Sequence, residues 1–370
     1  NSADRTLPGG GAQPDGSSES YDFALTPGTH WMHSHSLTEQ TLLAAPMVTV
    51  EADATTPEAT VMLHDFAFRA PAEIMAELGA TKMHDMGSMG DMSDMGGMKM
   101  ADGSTMAMPA MTHANDVKYD AYLANDRTLA DPQVIEVAPG PFRLRLINGA
   151  TATAFWIDTG LPTQVIATDG SPCVPLTGQH FPIAMGQRLD LLVTIPPEGG
   201  AFAVLAQVES ARMRTGVILA TKGAPVTRVT DMAETDAEPL DLRLDAALTA
   251  RTQPAAKPGQ MLHINLGMQP GYVWTVNDGA PLQAAVGSRV ELMFMNPTMM
   301  MHPMHLHGHH FQVVDVGRGR FEGPMRDTVI VPPGAMVTVA VDFDKPGAWY
   351  LHCHHLYHMA SGMMTSVKVG

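Results

Sequence analysis

The strongest constraint on the fold is an internal repeat of short, strand-like segments. Gly140 and Gly186 each precede such a segment and lie 46 residues apart, and Gly287 and Gly334 stand in the same relation 47 residues apart. Gly and Pro bound these segments, as is typical of strands joined by turns. Repeated short strands predict an all-β protein built from β-sandwich or barrel domains. The predicted ranges are 57–221 for one domain, 222–239 for a linker and 240–370 for the next domain.

A second repeat relates the beginning of the chain to its end. A His-X-His segment starts six residues after Pro27, at His33, and six residues after Pro346, at His352. Residues 1–53 are therefore interpreted as the C-terminal part of a third, incomplete copy. In the last domain, an earlier His-X-His segment, His305-Leu-His307, precedes the one at His352. The counterpart of that earlier segment in the incomplete copy would fall upstream of the first residue. We therefore expect the first domain to lack its beginning.

One stretch of the middle domain departs from the strand pattern. Residues 70–78 predict a helix, with Pro71 in its first turn and Gly79 ending it. The following residues, 83–113, are rich in Met, Gly, Ser and Asp, which predicts a surface insertion without a stable helix. It is interpreted either as a linker with oxidation-prone side chains or, preferably, as a segment whose thioethers capture Cu(I). The candidate Cu(I) ligands, spaced by three, are Met83, Met86, Met89, Met92, Met95 and Met98.

Composition narrows the classes of partner. The chain has a formal net charge of −16, which argues against nucleic acid or an anionic membrane surface as a partner. No apolar run approaches the ~20 residues of a membrane-spanning helix. Two cysteines exclude a disulfide framework, whereas 30 Met and 17 His supply an unusual number of metal-ligand side chains.

The clearest metal motif surrounds one cysteine near the end of the chain. Cys353 is followed five residues later by His358 and ten residues later by Met363. A histidine from a neighbouring loop, assigned as His302, would complete a set of two His, one Cys and a weak Met ligand. That set is typical of a blue-copper electron-transfer site.

The histidines that flank this cysteine predict a second metal group. Successive side chains of a strand point to opposite faces, so His352 and His354 would face away from Cys353. The same alternation occurs in His305-Leu-His307 and His33-Ser-His35. Zinc fits this pattern less well than copper, because zinc prefers closed tetrahedral sets of four ligands. His309, His310 and His355 are interpreted as supporting or surface residues.

These motifs resemble those of the multicopper oxidases, laccase-like enzymes of three cupredoxin domains with Greek-key β-sandwich folds. The resemblance rests on three segments, and the family's first copper motif, His-Trp-His-Gly, is not in this sequence. The Met-rich insertion is similar to that of the bacterial CopA-like and cuprous-oxidase-like branch. The three matching segments are Gly28-Thr-His-Trp-Met-His33-Ser-His35, His302-Pro-Met-His-Leu-His-Gly-His309 and His352-Cys-His-x-x-x-His358-x-x-x-x-Met363.

The resemblance implies four copper ions in the intact protein and a role for each ligand. Cys353, His352 and His354 would be the catalytic residues that carry electrons between sites. The implied ligands are His302, Cys353, His358 and Met363 for type 1 copper, His305 for type 2 copper, and His33, His35, His307, His352 and His354 for the binuclear type 3 pair.

Two functions remain open from the sequence. The first is an oxidase that couples one-electron oxidation of Cu(I) or small phenols to four-electron reduction of O2 to water, in copper tolerance. The alternative is a periplasmic protein that binds and sequesters copper without turnover. A copper nitrite reductase fits poorly, because it would require a different ligand spacing after the cysteine and a trimeric two-domain chain. In either case the branch implies a bacterial periplasmic or secreted protein.

Overall fold

The computed structural model describes residues 23–88, 115–254 and 257–370. Within these ranges, strands β1–β22 form four sheets, and three α-helices lie between them. The prediction of an all-β protein is therefore confirmed. None of the described helices is long and apolar enough to cross a membrane.

The first sheet is a two-stranded antiparallel ribbon. Strand β1 (Gly28–His33) pairs with β2 (Ala44–Thr49), and a short 3₁₀ turn (Leu37–Thr41) connects them. The side chain of Ser36 caps this turn by accepting a hydrogen bond from the Thr38 N–H. The ribbon carries His33 at the end of β1, a few residues before this turn.

The second sheet contains nine strands from the middle of the chain. The strand order is β4-β3-β6-β9-β7-β10-β11-β5, and β8 pairs with β7. The strands are β3 (Glu58–Phe66), β4 (Ala121–Ala124), β5 (Val134–Val137), β6 (Gly140–Asn148), β7 (Phe155–Thr168), β8 (Ser171–Ile183), β9 (Arg188–Ile195), β10 (Ala201–Val208) and β11 (Arg214–Thr221).

Two further sheets pack into a sandwich at the end of the chain. Their orders are β13-β12-β15-β20-β17-β18 and β14-β22-β21-β16-β19. Leu292 and Val339 of one sheet share a fully buried core with Leu306 and Leu351 of the other. The strands are β12 (Gln260–Gln269), β13 (Val273–Val276), β14 (Leu282–Ala284), β15 (Ser288–Met295), β16 (His302–Leu306), β17 (Phe311–Asp315), β18 (Met325–Arg326), β19 (Thr328–Val331), β20 (Met336–Phe343), β21 (Gly347–Cys353) and β22 (Met364–Val369).

The repeat seen in the sequence has a counterpart in strand pairing. Strands β6 and β9 pair antiparallel with Leu144 opposite Leu191, and β15 and β20 pair antiparallel with Leu292 opposite Val339. The turn glycines before β9 and β20 both adopt positive φ, at 80° and 70°. The division into domains at 57–221, 222–239 and 240–370 stays a prediction.

The helices are α1 (Pro71–Ser88), α2 (Arg243–Ala247) and α3 (Leu356–Ala360). The prediction that Gly79 ends the first helix is wrong, because α1 continues through it to Ser88. One glycine inside a helix costs only about 1 kcal/mol, and the buried side chains of Ile74 and Leu78 anchor α1 to the core. The expectation of no stable helix is also wrong for 83–88. The side chains of Met83 and Met86, and all of Met89, Met92, Met95 and Met98, lie outside the described residues.

Candidate metal centre

Three buried side chains converge at one end of the last sandwich. The Sγ atom of Cys353 lies 3.7 Å from Nδ1 of His302 and 3.8 Å from Nδ1 of His358. The two Nδ1 atoms are 3.2 Å apart. All three side chains are fully buried, so the cluster is shielded from bulk water.

The local fold explains why these residues meet. Strands β16 and β21 are neighbours, with Met304 opposite Cys353, so His302 and Cys353 come from adjacent strands. Helix α3 then turns the chain back and carries His358 over the end of the sheet. The Cys353 N–H donates to the Met363 carbonyl at 3.0 Å, and the Met363 N–H donates to the His358 carbonyl at 2.9 Å. These bonds hold the buried Met363 beside the cluster.

The donor set fits one thiophilic metal ion. Metal–nitrogen bonds of about 2.0 Å and metal–sulfur bonds of about 2.3 Å separate the donors of one ion by roughly 3–4 Å, as found for these three atoms. Burial raises the pKa of the Cys353 thiol, so the thiolate needs a bound cation to be stable here. Two imidazoles, one thiolate and a nearby thioether are the ligands that copper takes in electron-transfer sites.

A second cluster lies on the opposite face of β21. The ring nitrogens of His35, His307 and His352 come within 4.8 Å of one another, and Nε2 of His307 is 2.9 Å from Nε2 of His352. Because side chains alternate along a strand, His352 and His354 belong to this cluster while Cys353 belongs to the first. His307 and His352 are fully buried, whereas His35 is exposed.

Three more imidazoles complete the second cluster. The ring of His354 lies 4.9 Å from that of His33 and 5.9 Å from that of His305, measured between centroids. His305 is the direct cross-strand partner of His352. The six histidines come from three parts of the chain: the end of β1 with the adjoining turn, strand β16 with the residue after it, and the end of β21 with the residue after it.

Hydrogen bonds orient several of these rings. Nδ1 of His305 donates to the Asp327 carbonyl at 2.8 Å, and Nδ1 of His352 donates to the Cys353 carbonyl at 2.9 Å. Nδ1 of His33 lies 3.1 Å from Glu39 and 3.0 Å from the Ser34 carbonyl. When Nδ1 donates, the lone pair of Nε2 is left for a metal.

The electrostatics of the second cluster also favour metal binding. Burial, together with the neighbouring imidazoles of His307 and His305, holds the pKa of His352 well below its ordinary value. Burial and the ring of His33 do the same to the pKa of His354. Both rings are therefore neutral at physiological pH, which is the state in which imidazole coordinates a metal.

Every residue predicted as a ligand of type 1, type 2 or type 3 copper lies in or beside one of the two clusters. Glu39 and Asp327, which contact His33 and His305, were not predicted from the sequence. A weak signal existed for Glu39, which follows His33 closely on a turn capped by Ser36. No local pattern marks Asp327, because it lies between two strands and is 22 residues away from His305 in the sequence.

A cavity opens beside the first cluster. It has a volume of about 720 Å³, and its lining includes Ile74, Trp274, Met268, Met299 and Met300. Thr298, also in the lining, has its hydroxyl 2.8 Å from Nε2 of His302. A molecule in this cavity is therefore one side chain away from a candidate copper ligand.

Gly186 allows the second cluster to form. A Cβ atom at this position would lie 2.4 Å from Cδ2 of His354, and its φ of 80° also disfavours other residues. We expect Gly186→Ala to displace the His354 ring and to lower the copper content of the protein, measured by metal analysis after reconstitution. The left-handed backbone alone costs an alanine about 1–2 kcal/mol.

Gly334→Ala is the matched control for this variant. Gly334 has a φ of 70°, and a Cβ there would meet nothing within 4 Å. It therefore carries the backbone cost without the clash. Equal copper contents in the two variants would contradict the role assigned to Gly186.

Comparisons with known proteins decide the family. Two profiles, both described as multicopper oxidase, match residues 82–224 and 248–370. The multicopper oxidase MmcO of Mycobacterium tuberculosis is 31% identical over 99% of this chain and 74% of its own length. The chain belongs to the multicopper oxidase family. A copper resistance protein A homologue of Pseudomonas syringae pv. tomato is 24% identical over 92% of this chain and 77% of its own length.

Solved structures agree on the fold of this multicopper oxidase. Fet3p, described as a multicopper oxidase that functions in iron import, superimposes with a TM-score of 0.72 at 16% identity, over 93% of this chain and 72% of its own. The laccase of Botrytis aclada gives a TM-score of 0.70 at 20% identity, over 92% and 70%. The chain is thus made of cupredoxin-like β-sandwiches, as the resemblance implied. Family membership makes it a copper-dependent oxidoreductase that uses O2 and a reducing substrate.

Proposed function

We propose that the two clusters hold the type 1 copper and the trinuclear group of this oxidase. His302, Cys353, His358 and Met363 hold type 1 copper, and His305 holds type 2 copper. His33, His35, His307, His352 and His354 hold the type 3 pair. The observation that carries the proposal is the sharing of three consecutive residues, 352–354, between two clusters on opposite faces of β21.

The residues around these clusters have separable tasks. Copper bound at the first cluster would supply one-electron redox chemistry towards a reductant, and copper bound at the second would supply the reduction of O2 to water. The peptide from His352 to His354 gives a covalent path between the clusters. The cavity beside His302 holds the reductant near the entry point. Burial of Cys353 and His358 keeps water away from the thiolate.

Cu(I) is the physiological reductant that the structure supports best. The Met-rich segment re-enters the described structure at the cavity, because Asn115 lines it, and helix α1, which leads into the segment, lines the cavity with Ile74 and Leu78. Thioethers of Met268 and Met299 face the same space, and thioether is a soft ligand suited to Cu(I). A net charge of −16 attracts cations to the protein. Oxidation of Cu(I) would serve copper tolerance, in the bacterial periplasm or outside the cell.

Small phenols are a second candidate reductant. The cavity of about 720 Å³ is larger than a metal ion needs and lies within the range typical of sites for small organic ligands. Its apolar wall of Ile74, Trp274 and Met300 suits an aromatic ring.

Oxygen uptake separates turnover from sequestration. We expect the copper-loaded protein to consume O2 when supplied with Cu(I) or a phenol, with four electrons delivered per O2. A fully loaded protein that takes up no O2 with either reductant would instead be a copper-binding protein without turnover. The experiment is an oxygen-electrode measurement with the metal content of the same sample determined in parallel.

The methionines of the insertion are expected to contribute to the oxidation of Cu(I) but not to the oxidation of a phenol. Replacing Met83, Met86, Met89, Met92, Met95 and Met98 together by Leu removes the thioethers but keeps apolar side chains. We expect the kcat/KM for Cu(I) to fall by roughly tenfold, since soft ligands for the ion are lost. The kcat/KM for a phenol, measured on the same preparation, should change little. Equal loss for both substrates would contradict a role in Cu(I) capture.

A further inference from the structure

The imidazole of His358 is enclosed between two other rings. His355 stacks on one side, with ring centroids 3.7 Å apart and planes inclined by 8°. On the other side Trp274 lies 4.1 Å away, inclined by 31°. His355 and Trp274 are both almost fully buried. Nδ1 of His358, held in this way, points towards Cys353 and His302.

A single carboxylate touches both stacked histidines. Oδ1 of Asp116 lies 3.2 Å from Nε2 of His355, and Oδ2 lies 3.8 Å from Nε2 of His358. The hydroxyl of Tyr272 donates a hydrogen bond to Oδ2 at 2.8 Å. Tyr272 adopts a φ of 62°, a left-handed conformation that is rare for a bulky residue. Such a conformation is energetically unfavourable and persists only where the surrounding structure holds it in place.

This arrangement connects the cavity to the candidate type 1 site. Asp116 lines the cavity, while its carboxylate reaches the side of His358 opposite to the thiol. Asp116 comes from the segment before β4, Tyr272 from the turn between β12 and β13, and His355 from the turn before α3. Three separate elements therefore hold one ring.

We propose that His355, anchored by Asp116, is a positioning residue that fixes the His358 imidazole for binding type 1 copper. The inference rests on the proposed role of His358 as a copper ligand. A stacked ring prevents rotation about the Cβ–Cγ bond of His358, which would turn Nδ1 away from Cys353. Outer partners of ligating histidines typically contribute 10–100-fold to metal affinity.

The test compares two replacements of His355. His355→Leu removes the stacked ring, whereas His355→Phe keeps a flat ring of similar size. We expect the Leu variant to bind Cu(II) at the type 1 site roughly 10–100-fold more weakly in competition with a chelator. The blue absorption and the type 1 reduction potential of the Leu variant should also shift. The absorption and the copper affinity of the Phe variant should lie close to those of the wild-type protein. His309→Leu, which removes another buried histidine packed on Phe343 and Trp349, should leave all three quantities unchanged.

The outcomes are decisive and separable from the proposed function. A Leu variant with wild-type affinity, absorption and potential would overturn the inference, as would a Phe variant indistinguishable from the Leu variant. Chemical unfolding of the metal-free proteins shows whether either variant is folded. If the Leu variant is destabilised, the Phe variant and Asp116→Asn are compared with the wild-type protein instead. Asp116→Asn should shift the potential while retaining the blue absorption, and an unchanged potential would contradict the anchoring role. If the wild-type protein itself shows no thiolate-to-copper absorption, the proposed type 1 site fails.

Discussion

Cys353→Ser is expected to give a colourless protein that does not oxidise substrate. The thiolate is the only sulfur anion that the buried cluster offers, and a serine hydroxyl is not deprotonated in such surroundings. The change would remove both the copper–sulfur bond of the proposed type 1 site and the start of the proposed covalent path to His352 and His354. Visible absorption and electron paramagnetic resonance of the reconstituted variant measure the first loss. Steady-state O2 uptake measures the second, and we expect no turnover above the copper-free protein.

The second cysteine provides a matched control. Cys173 is buried in the middle sheet, where its thiol lies 3.6 Å from the Val165 carbonyl, and it belongs to the core of that sheet. Cys173→Ser should keep the blue colour and the oxidase activity, at a modest cost in stability. Retention of the blue colour in Cys353→Ser would end the assignment of the type 1 site, and its loss in Cys173→Ser would show that colour reports on folding alone.

The grouping of the candidate ligands could be predicted where it depends on the alternation of side chains along one strand. His352, Cys353 and His354 are adjacent, so strand geometry alone separates the cysteine from the two histidines. The repeat of turn glycines was similarly local, because Gly186 and Gly334 each precede a strand and adopt positive φ. These features made both the all-β class and the grouping of the histidines into two clusters predictable from the sequence.

Long-range partners were not predictable in the same way. Asp116 meets His355 across more than two hundred residues, and Tyr272 joins them from a third segment. No periodicity links such positions, since their proximity follows from how distant segments of the folded chain pack together. Gly79 gave the opposite kind of error. It was predicted to end the first helix, but the helix continues because Ile74 and Leu78 are buried in the core.

His307→Ala is expected to separate electron entry from O2 reduction. His307 lies on the face of β21 opposite to Cys353, with its Nε2 only 2.9 Å from Nε2 of His352. The change therefore removes a proposed ligand of the trinuclear group and leaves the proposed type 1 ligands in place. Steady-state O2 uptake should fall by at least about 100-fold, because loss of a ligand costs more than loss of an outer partner.

A single-turnover experiment makes this separation visible. Under anaerobic conditions a reductant should still bleach the blue colour of His307→Ala, because the cavity and the His302 side of the type 1 site are unchanged. On admission of air the colour should return far more slowly than in the wild-type protein, since the route from the thiolate leads to an incomplete cluster. His180→Ala, which removes an exposed histidine of β8, should behave as wild type in both steps. A His307→Ala variant that recolours at the wild-type rate would place O2 reduction elsewhere, and one that is colourless from the start would mean that the two clusters do not form independently.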